Sequence, residues 1–301
     1  MAKSMFTNDV ILSWLQYFSK NAPVDLAKIK MLDVTGENKN LIPTVMSNRM
    51  VLVFTDAGHP EIFYEMWNAE LGNCVIWYNE GSDPVGEMKS DKVSDMIDRG
   101  INSSAAMLIM NPDARTNYHI GMENSRFSCG SVQYVCSEVR SVIMNKLDLA
   151  DRDTICIVSG ESIAVESSLI VSEGNVVAVE YDSRDRMTME ENVEKFGLKN
   201  VSIADSIENG YPENLPVPDI AFIVASKRID KEIKSLLAVN SKMRIVIYTL
   251  DFEILMSMAQ MFKENGLIRQ EIINVAVSRV NSKNMIEPFP APWLISGVKA
   301  E

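Results

Sequence analysis

Residues Ile155 to Ser167 read ICIVSGESIAVES, the outline of a buried strand, a short loop and a helix. The unbroken apolar run Ile155–Val158, stopped by Ser159-Gly160, fits a strand covered on both faces. Ser162 is placed to cap the helix that follows. In an open α/β sheet a ligand binds past the C-terminal end of such a strand, where the strand order reverses. A loop that holds a nucleotide-like cofactor is usually rich in glycine, because its backbone must turn tightly and approach the ligand closely. This loop has one glycine, Gly160, flanked by Ser159 and Glu161. It is either a cofactor site or the shell of one.

The residues that follow keep the same alternation. Strands are expected at Thr154–Val158, Val176–Glu180, Val201–Ala204, Ile220–Val224 and Arg244–Thr249. Helices are expected between them at Ser162–Val171, Met187–Phe196, Ile229–Val239 and Asp251–Asn265, after a leading helix at Ser137–Leu147. Two closing strands, Glu271–Arg279 and Pro292–Ser296, would complete a seven-stranded α/β sheet of Rossmann-like type. Polar residues fall at the strand ends. Glu180, about twenty residues past the loop, suits hydrogen bonds from ribose hydroxyls. Asp205 stands after the third strand and Lys227-Arg228 after the fourth.

The preceding residues form a separate series. A helix is expected at Phe6–Phe18, strands at Ile29–Val34, Met50–Thr55, Asn73–Tyr78 and Ala105–Met110, and a short helix at Lys92–Arg99. DAGHPE (Asp56–Glu61) reads as a strand-to-helix loop. Strands alternating with helices imply a smaller α/β domain with a mostly parallel sheet. The expected division is a first domain over 1–113, a linker over 114–133 and a second domain over 134–301.

Bulk composition narrows the function classes. The chain has 301 residues, 47% apolar and 23% charged, with a formal net charge of −12. That charge argues against nucleic acid and against anionic membranes, both of which need basic surface. No apolar run reaches the roughly 18 residues of a membrane span, and the N-terminus lacks a signal-peptide core, so a cytoplasmic location is expected. The cysteines (Cys74, Cys129, Cys136, Cys156) form no C-x-x-C pair and His59 and His119 are the only histidines, so four reduced thiols and no metal site are expected. Many of the 19 methionines, among them Met256, Met258 and Met261, read as flexible core filler.

Several stretches carry a family resemblance. SEVRSVIMNKLDL (Ser137–Leu149), SIAVES (Ser162–Ser167), NVVAVEYD (Asn175–Asp182), ENVEKFGLKNVSI (Glu191–Ile203), LPVPDIAFI (Leu215–Ile223), VAVSRV (Val275–Val280) and APWLISG (Ala291–Gly297) occur in the order, and with the motif residues, of the C-terminal half of decarboxylating precorrin-6Y C5,15-methyltransferases. GMENSRF (Gly121–Phe127) resembles that family's junction between domains. VLVFTDAGHPEIF (Val51–Phe63) and VIWYNEGSDPVGEM (Val75–Met88) resemble the second lobe of its tetrapyrrole methylase domain. The resemblance identifies a divergent, N-terminally truncated member, and implies a class I methyltransferase-like fold, S-adenosylmethionine as cofactor, a corrinoid or other tetrapyrrole substrate and a homo-oligomer. Ser159, Gly160, Glu161, Glu180 and Asp205 would hold the cofactor, and Arg140, Lys227 and Arg228 the substrate's carboxylates.

The departures gather at the cofactor loop. Ile157, Ser159 and Glu161 stand where the family carries glycines, and Glu161 would set a carboxylate near the cofactor's own. Val135-Cys136 replaces the leading motif's Thr-Lys, and Val224-Ala225 a Gly-Gly pair. With only one lobe of the tetrapyrrole methylase present, that domain's own site is expected to be dead. Three readings follow: a pseudoenzyme-like relative with impaired or lost cofactor binding, which the loop favours; an active corrinoid-pathway methyltransferase and decarboxylase; or a binder of another nucleotide in the same cleft.

Overall fold

The computed structural model describes residues 6–35, 39–55, 61–97, 105–115, 120–130 and 135–299, with backbone alone at 269, 270 and 299. The chain divides into two compact units, Met1–Tyr118 with Lys195–Lys199 and His119–Glu194 with Asn200–Glu301. His59, His119, most of DAGHPE and the end of the expected helix at 92–99 lie outside the described residues.

The first unit contains α1 (Asn8–Asn21), β1 (Lys30–Asp33), α2 (Leu41–Ser47), β2 (Met50–Phe54), α3 (Ile62–Asn68), β3 (Val75–Tyr78), β4 (Lys89–Lys92) and β5 (Ala106–Met110). Its sheet has the order β1-β2-β5-β3-β4. The α3 crossover leaves β2 and β3 pointing the same way, but β5 inserts between them and pairs antiparallel with both. Only β1 and β2 pair in parallel, so the mostly parallel sheet expected here is corrected to a mixed one. The reason is local: β3 turns back into β4 without a helix, and Lys89–Lys92 pairs with β3 where a helix was expected from Lys92. Trp14, Tyr17 and Phe18 of α1 cover one face of this sheet, and Ile42, Phe63 and Met66 of α2 and α3 the other.

The second unit follows the expected series closely. It contains α4 (Ser137–Leu147), β6 (Thr154–Val158), α5 (Glu161–Ile170), β7 (Asn175–Val179), α6 (Ser183–Phe196), β8 (Val201–Ala204), β9 (Ile220–Val224), α7 (Ile229–Val239), β10 (Arg244–Thr249), α8 (Phe252–Glu264), β11 (Leu267–Asn274), β12 (Ser278–Val280), β13 (Ile286–Pro288) and β14 (Trp293–Lys299). The seven-stranded sheet has the order β11-β14-β10-β9-β6-β7-β8. β14 runs antiparallel to β10 and β11, and the pairs from β10 through β8 are parallel. From β6 the chain steps outward to β7 and β8, then returns to β9 on the other side. That reversal opens a crevice beyond the C-terminal end of β6. β6 is buried along its length; Cys156 and Val158 pack with Ile233 and Leu236 of α7, as expected for a core cysteine.

Two corrections concern edges. The strand expected over Glu271–Arg279 ends at Asn274, and Ser278–Val280 forms a separate two-stranded ribbon with β13. Met258 is buried as core filler, but Met256 is 66% exposed, because it faces away from the sheet on α8. Among the described residues no helix is long and apolar enough to cross a membrane.

Candidate functional site

The loop after β6 keeps a glycine-like shape with few glycines. Ser159 adopts φ 56°, a left-handed conformation that costs a side-chain-bearing residue about 1–2 kcal/mol. Its N–H donates to Val179 O, extending the β6–β7 ladder by one step. Gly160 is closely packed: a Cβ there would lie 3.0 Å from Ile157 Cγ2 and 3.4 Å from Phe222 Cε1, so those side chains would have to give by a few tenths of an ångström. α5 begins at Glu161 with Gly160 as its cap, so Ser162 sits inside the first turn and does not cap it.

The structure brings Gly160, Glu161 and Glu180 together. The Gly160 N–H donates to Glu180 Oε1 at 3.1 Å. Glu161, Glu180 and Asp185, the last from the first turn of α6, place carboxylate oxygens within 4.8 Å of one another. Glu180 is 2% exposed. Burial, reinforced by the charges of Glu161 and Asp185, pushes its carboxyl up to about 8. Burial also raises Glu161, with Asp185 adding to the effect. Beside them a cavity of about 110 Å³ is lined by Phe127, Cys129, Gly130, Val135, Val224 and Tyr248 together with the loop.

The other expected site residues lie apart from this cluster or are occupied. Asp205 is exposed, and so is Lys227. Arg228 stacks its guanidinium 4.5 Å from the centre of the Tyr181 ring and pairs with Glu208 at 3.4 Å. Beneath this stack lies the fully buried Glu232 of α7, whose carboxyl burial raises while the Tyr181 hydroxyl and Arg228 pull it down.

Arg140 is 1% exposed and faces inward. Its Nε donates to Glu166 at 2.6 Å, one terminal nitrogen reaches Asn124 Oδ1 and Val135 O, and the other donates to Met122 O. Glu166 also accepts from the N–H groups of Gly121 and Met122, each at 3.0 Å. Arg140 lies 4.6 Å over the Phe127 ring. A buried ion pair survives only when its remaining hydrogen bonds are satisfied, and this one is so satisfied. Residues 120–130, expected within a linker, are therefore tied to the second unit.

The other recurrent motifs also hold architecture. Glu138 receives a two-pronged hydrogen bond from Arg279, at 2.7 and 2.8 Å, which holds its carboxyl down at about 2. Asp219 joins the starts of two strands, donating its N–H to Thr154 O and accepting from Arg244 N–H. At Gly297 a Cβ would meet Phe262 Cε2 at 2.6 Å. Asp185, Asn192, Tyr181 and Glu166 were not singled out from the sequence. For Asp185 the one available signal was an acid in the first turn after a strand-end glutamate.

A family model described as the precorrin methyltransferase domain matches residues 131–289, more than half of the chain. The chain belongs to that family. Among solved structures it is similar to a precorrin-6Y C5,15-methyltransferase from Geobacter metallireducens, with a TM-score of 0.56 and 23% identity over 60% of this chain and 98% of that one. It is also similar to a precorrin 8W decarboxylase from Methanobacterium thermoautotrophicum, with a TM-score of 0.50 and 18% identity over 60% of this chain and 100% of that one. At this identity the likeness is one of fold, and it confirms the Rossmann-like methyltransferase sheet of the second unit. No curated protein matches the chain.

Proposed function

We propose that this chain is a precorrin methyltransferase relative that keeps the scaffold and has lost S-adenosylmethionine binding. The observation that carries the reading is the convergence of Glu161, Glu180 and Asp185 beyond β6, with the Gly160 amide turned onto Glu180. In this fold family a strand-end acid accepts hydrogen bonds from the cofactor's ribose. Here that acid is engaged by its own loop, and its raised carboxyl favours the neutral form, a poorer acceptor, at neutral pH. Glu161 sets a further carboxylate against a cofactor that brings one of its own, an unfavourable pairing in a buried place.

Space argues the same way. Ligand pockets for molecules of cofactor size are typically 300–1,000 Å³, against a cavity of about 110 Å³ here. Beyond β7 the Tyr181 ring is covered by the guanidinium of the exposed Arg228, which also pairs with Glu208. The residues present do not fit S-adenosylmethionine, so no methyl-transfer step is derived for this chain. The motifs that persist (Arg140, Glu166, Glu138, Arg279, Asp219, Gly297) are those with structural work to do, as a fold retained without its chemistry requires.

A protein-binding role suits such a scaffold, and the partner we favour is a second copy of the chain. The ribbon β12–β13 exposes Val280 at 67% and Ile286 at 73%, beside Met285. Two strands alone form a marginal sheet in water, and apolar residues displayed on one are stabilised by a further layer.

Thermal denaturation with S-adenosylhomocysteine tests the loss of binding. A micromolar ligand at about a thousand times its Kd stabilises by about 4 kcal/mol, a shift of several degrees. The reading expects no shift at millimolar ligand. A shift of that size overturns it.

A further inference from the structure

Helix α8 carries more apolar surface than its own sheet covers. Turning by about 100° per residue, its side chains fall into rows along the axis. Met258 and Phe262 are buried in the core. Glu253, Ser257, Gln260 and Glu264 form a polar row, in which the Ser257 hydroxyl donates to Ile254 O and the Gln260 amide to Glu264. Between these rows, on the flank of the half-buried Leu255, stand Phe252, Met256 and Ala259, at i, i+4 and i+7, and Lys263 ends the row. Phe252 and Met256 are 65% and 66% exposed. A surface helix needs an apolar stripe only as wide as its contact with the core. This one runs a row further, and a row of large apolar side chains in water marks a contact surface rather than chance exposure.

The charges along the row decide what fits it. Its N-terminal end is acidic, with Asp251 as cap and Glu253 in the first turn, and its C-terminal end is basic, with Lys263 in the last turn. Asp251 is occupied by the N–H groups of Glu253 and Ile254. Glu253 and Lys263 form no ion pair among the described residues. A row that is acidic at one end, basic at the other and apolar between is complementary to its own reversed copy. An acidic or a basic partner would match one end and be repelled at the other. A second α8 laid antiparallel, about a twofold axis between Met256 and Ala259, sets Met256 opposite the partner's Ala259 and Phe252 opposite the partner's Lys263. The small Ala259 leaves room for the methionine, and the two helix dipoles oppose each other favourably.

We propose that α8 is a twofold self-association surface, in which the Phe252-Met256-Ala259 row packs antiparallel on the same row of a second chain and Lys263 pairs across the axis with the partner's Glu253. The lysine stem lies along the partner's Phe252 ring while its ammonium reaches the carboxylate. Such a contact is isologous, so each pairing occurs twice. The apolar row supplies the attraction and the charges set the direction. This surface shares no residue with the β12–β13 ribbon or with the loop after β6, and it stands apart from the cofactor reading.

Sedimentation of the full chain over a hundredfold concentration series tests this, with Ile286→Lys as the parent so that the ribbon does not contribute. The parent should show a reversible monomer–dimer equilibrium. Met256→Glu sets two carboxylates at the axis and should remain monomeric throughout. Glu253→Lys and Lys263→Glu each place like charges across the pair twice over, and each should weaken the dimer about tenfold. Glu253→Lys/Lys263→Glu restores both pairs in reversed sense and should recover most of that loss. All of these side chains are exposed, so the variants should fold as the parent does. The proposal is overturned if the parent stays monomeric at the highest concentration, if Met256→Glu associates as strongly as the parent, or if the double charge swap associates no better than the single ones. The last result would mean that α8 does not meet its copy in this direction.

Discussion

Replacing Glu180 by glutamine should stabilise the protein, and by an amount that depends on pH. The carboxyl moves from an ordinary 4.5 to about 8 on folding, driven first by burial and then by Glu161 and Asp185. For an acid raised on folding, the folded chain holds its proton where the unfolded chain has released it. Stability from this group is therefore greatest below about pH 4.5, declines as pH rises from there, and levels off above about 8. Each unit of separation is worth 1.36 kcal/mol. The cost is under about 1 kcal/mol at pH 5, about 3 kcal/mol at pH 7 and about 5 kcal/mol at pH 9. Glutamine cannot ionise, keeps an oxygen for the Gly160 N–H and offers two donors to the neighbouring carboxylates. Urea denaturation of wild type and Glu180→Gln at pH 5, 7 and 9 checks this. The variant's advantage should be near zero at pH 5 and grow to about 3 kcal/mol at pH 7, a gain of about 6–12 °C in Tm for a unit of this size. Parallel curves for the two proteins would show that Glu180 is ionised in the folded state and that the account of the acid cluster is wrong.

Arg140→Met should destabilise by about 3–5 kcal/mol, because it strands Glu166 as an unpaired buried charge. Arg140→Met/Glu166→Leu should recover much of that loss in the same urea melts; equal losses in the two variants would mean that the single substitution acts by distorting packing. Ile286→Lys should shift sedimentation from oligomer toward monomer without lowering Tm, since the side chain is 73% exposed. An unchanged sedimentation coefficient, or a wild type that is already monomeric, would remove the ribbon from consideration as an interface.

The second unit was readable from the sequence because its local signals agree with one another. Continuous apolar runs at Thr154–Val158, Ile220–Val224 and Arg244–Thr249 are strands buried on both faces, and each coincides with its expected bounds. The first unit was less readable. Whether β3 and β5 are neighbours depends on long-range pairing, and the polar stretch KSDK of β4 has no strand pattern. At the site, the sequence located Glu180 and the abnormal loop, but side-chain direction lay beyond it. Arg140 looks equally cationic whether it points at a substrate or at Glu166, and its partner lies 26 positions away. Asp185 joins the acids because helix α6 begins at Ser183, earlier than its apolar pattern suggests. Ser159 carries no sequence sign of its φ of 56° beyond its place between a buried strand and Gly160.

Loss of cofactor binding is settled by calorimetric titration of the purified chain with S-adenosylmethionine and S-adenosylhomocysteine at pH 7, beside Glu180→Ala. The account predicts no binding heat for either protein up to millimolar ligand. Saturable micromolar binding by the wild type that disappears in Glu180→Ala would contradict it. That result would show that the chain still holds the cofactor and that Glu180 is needed for it, and the reading of an active methyltransferase would return for test by methyl transfer.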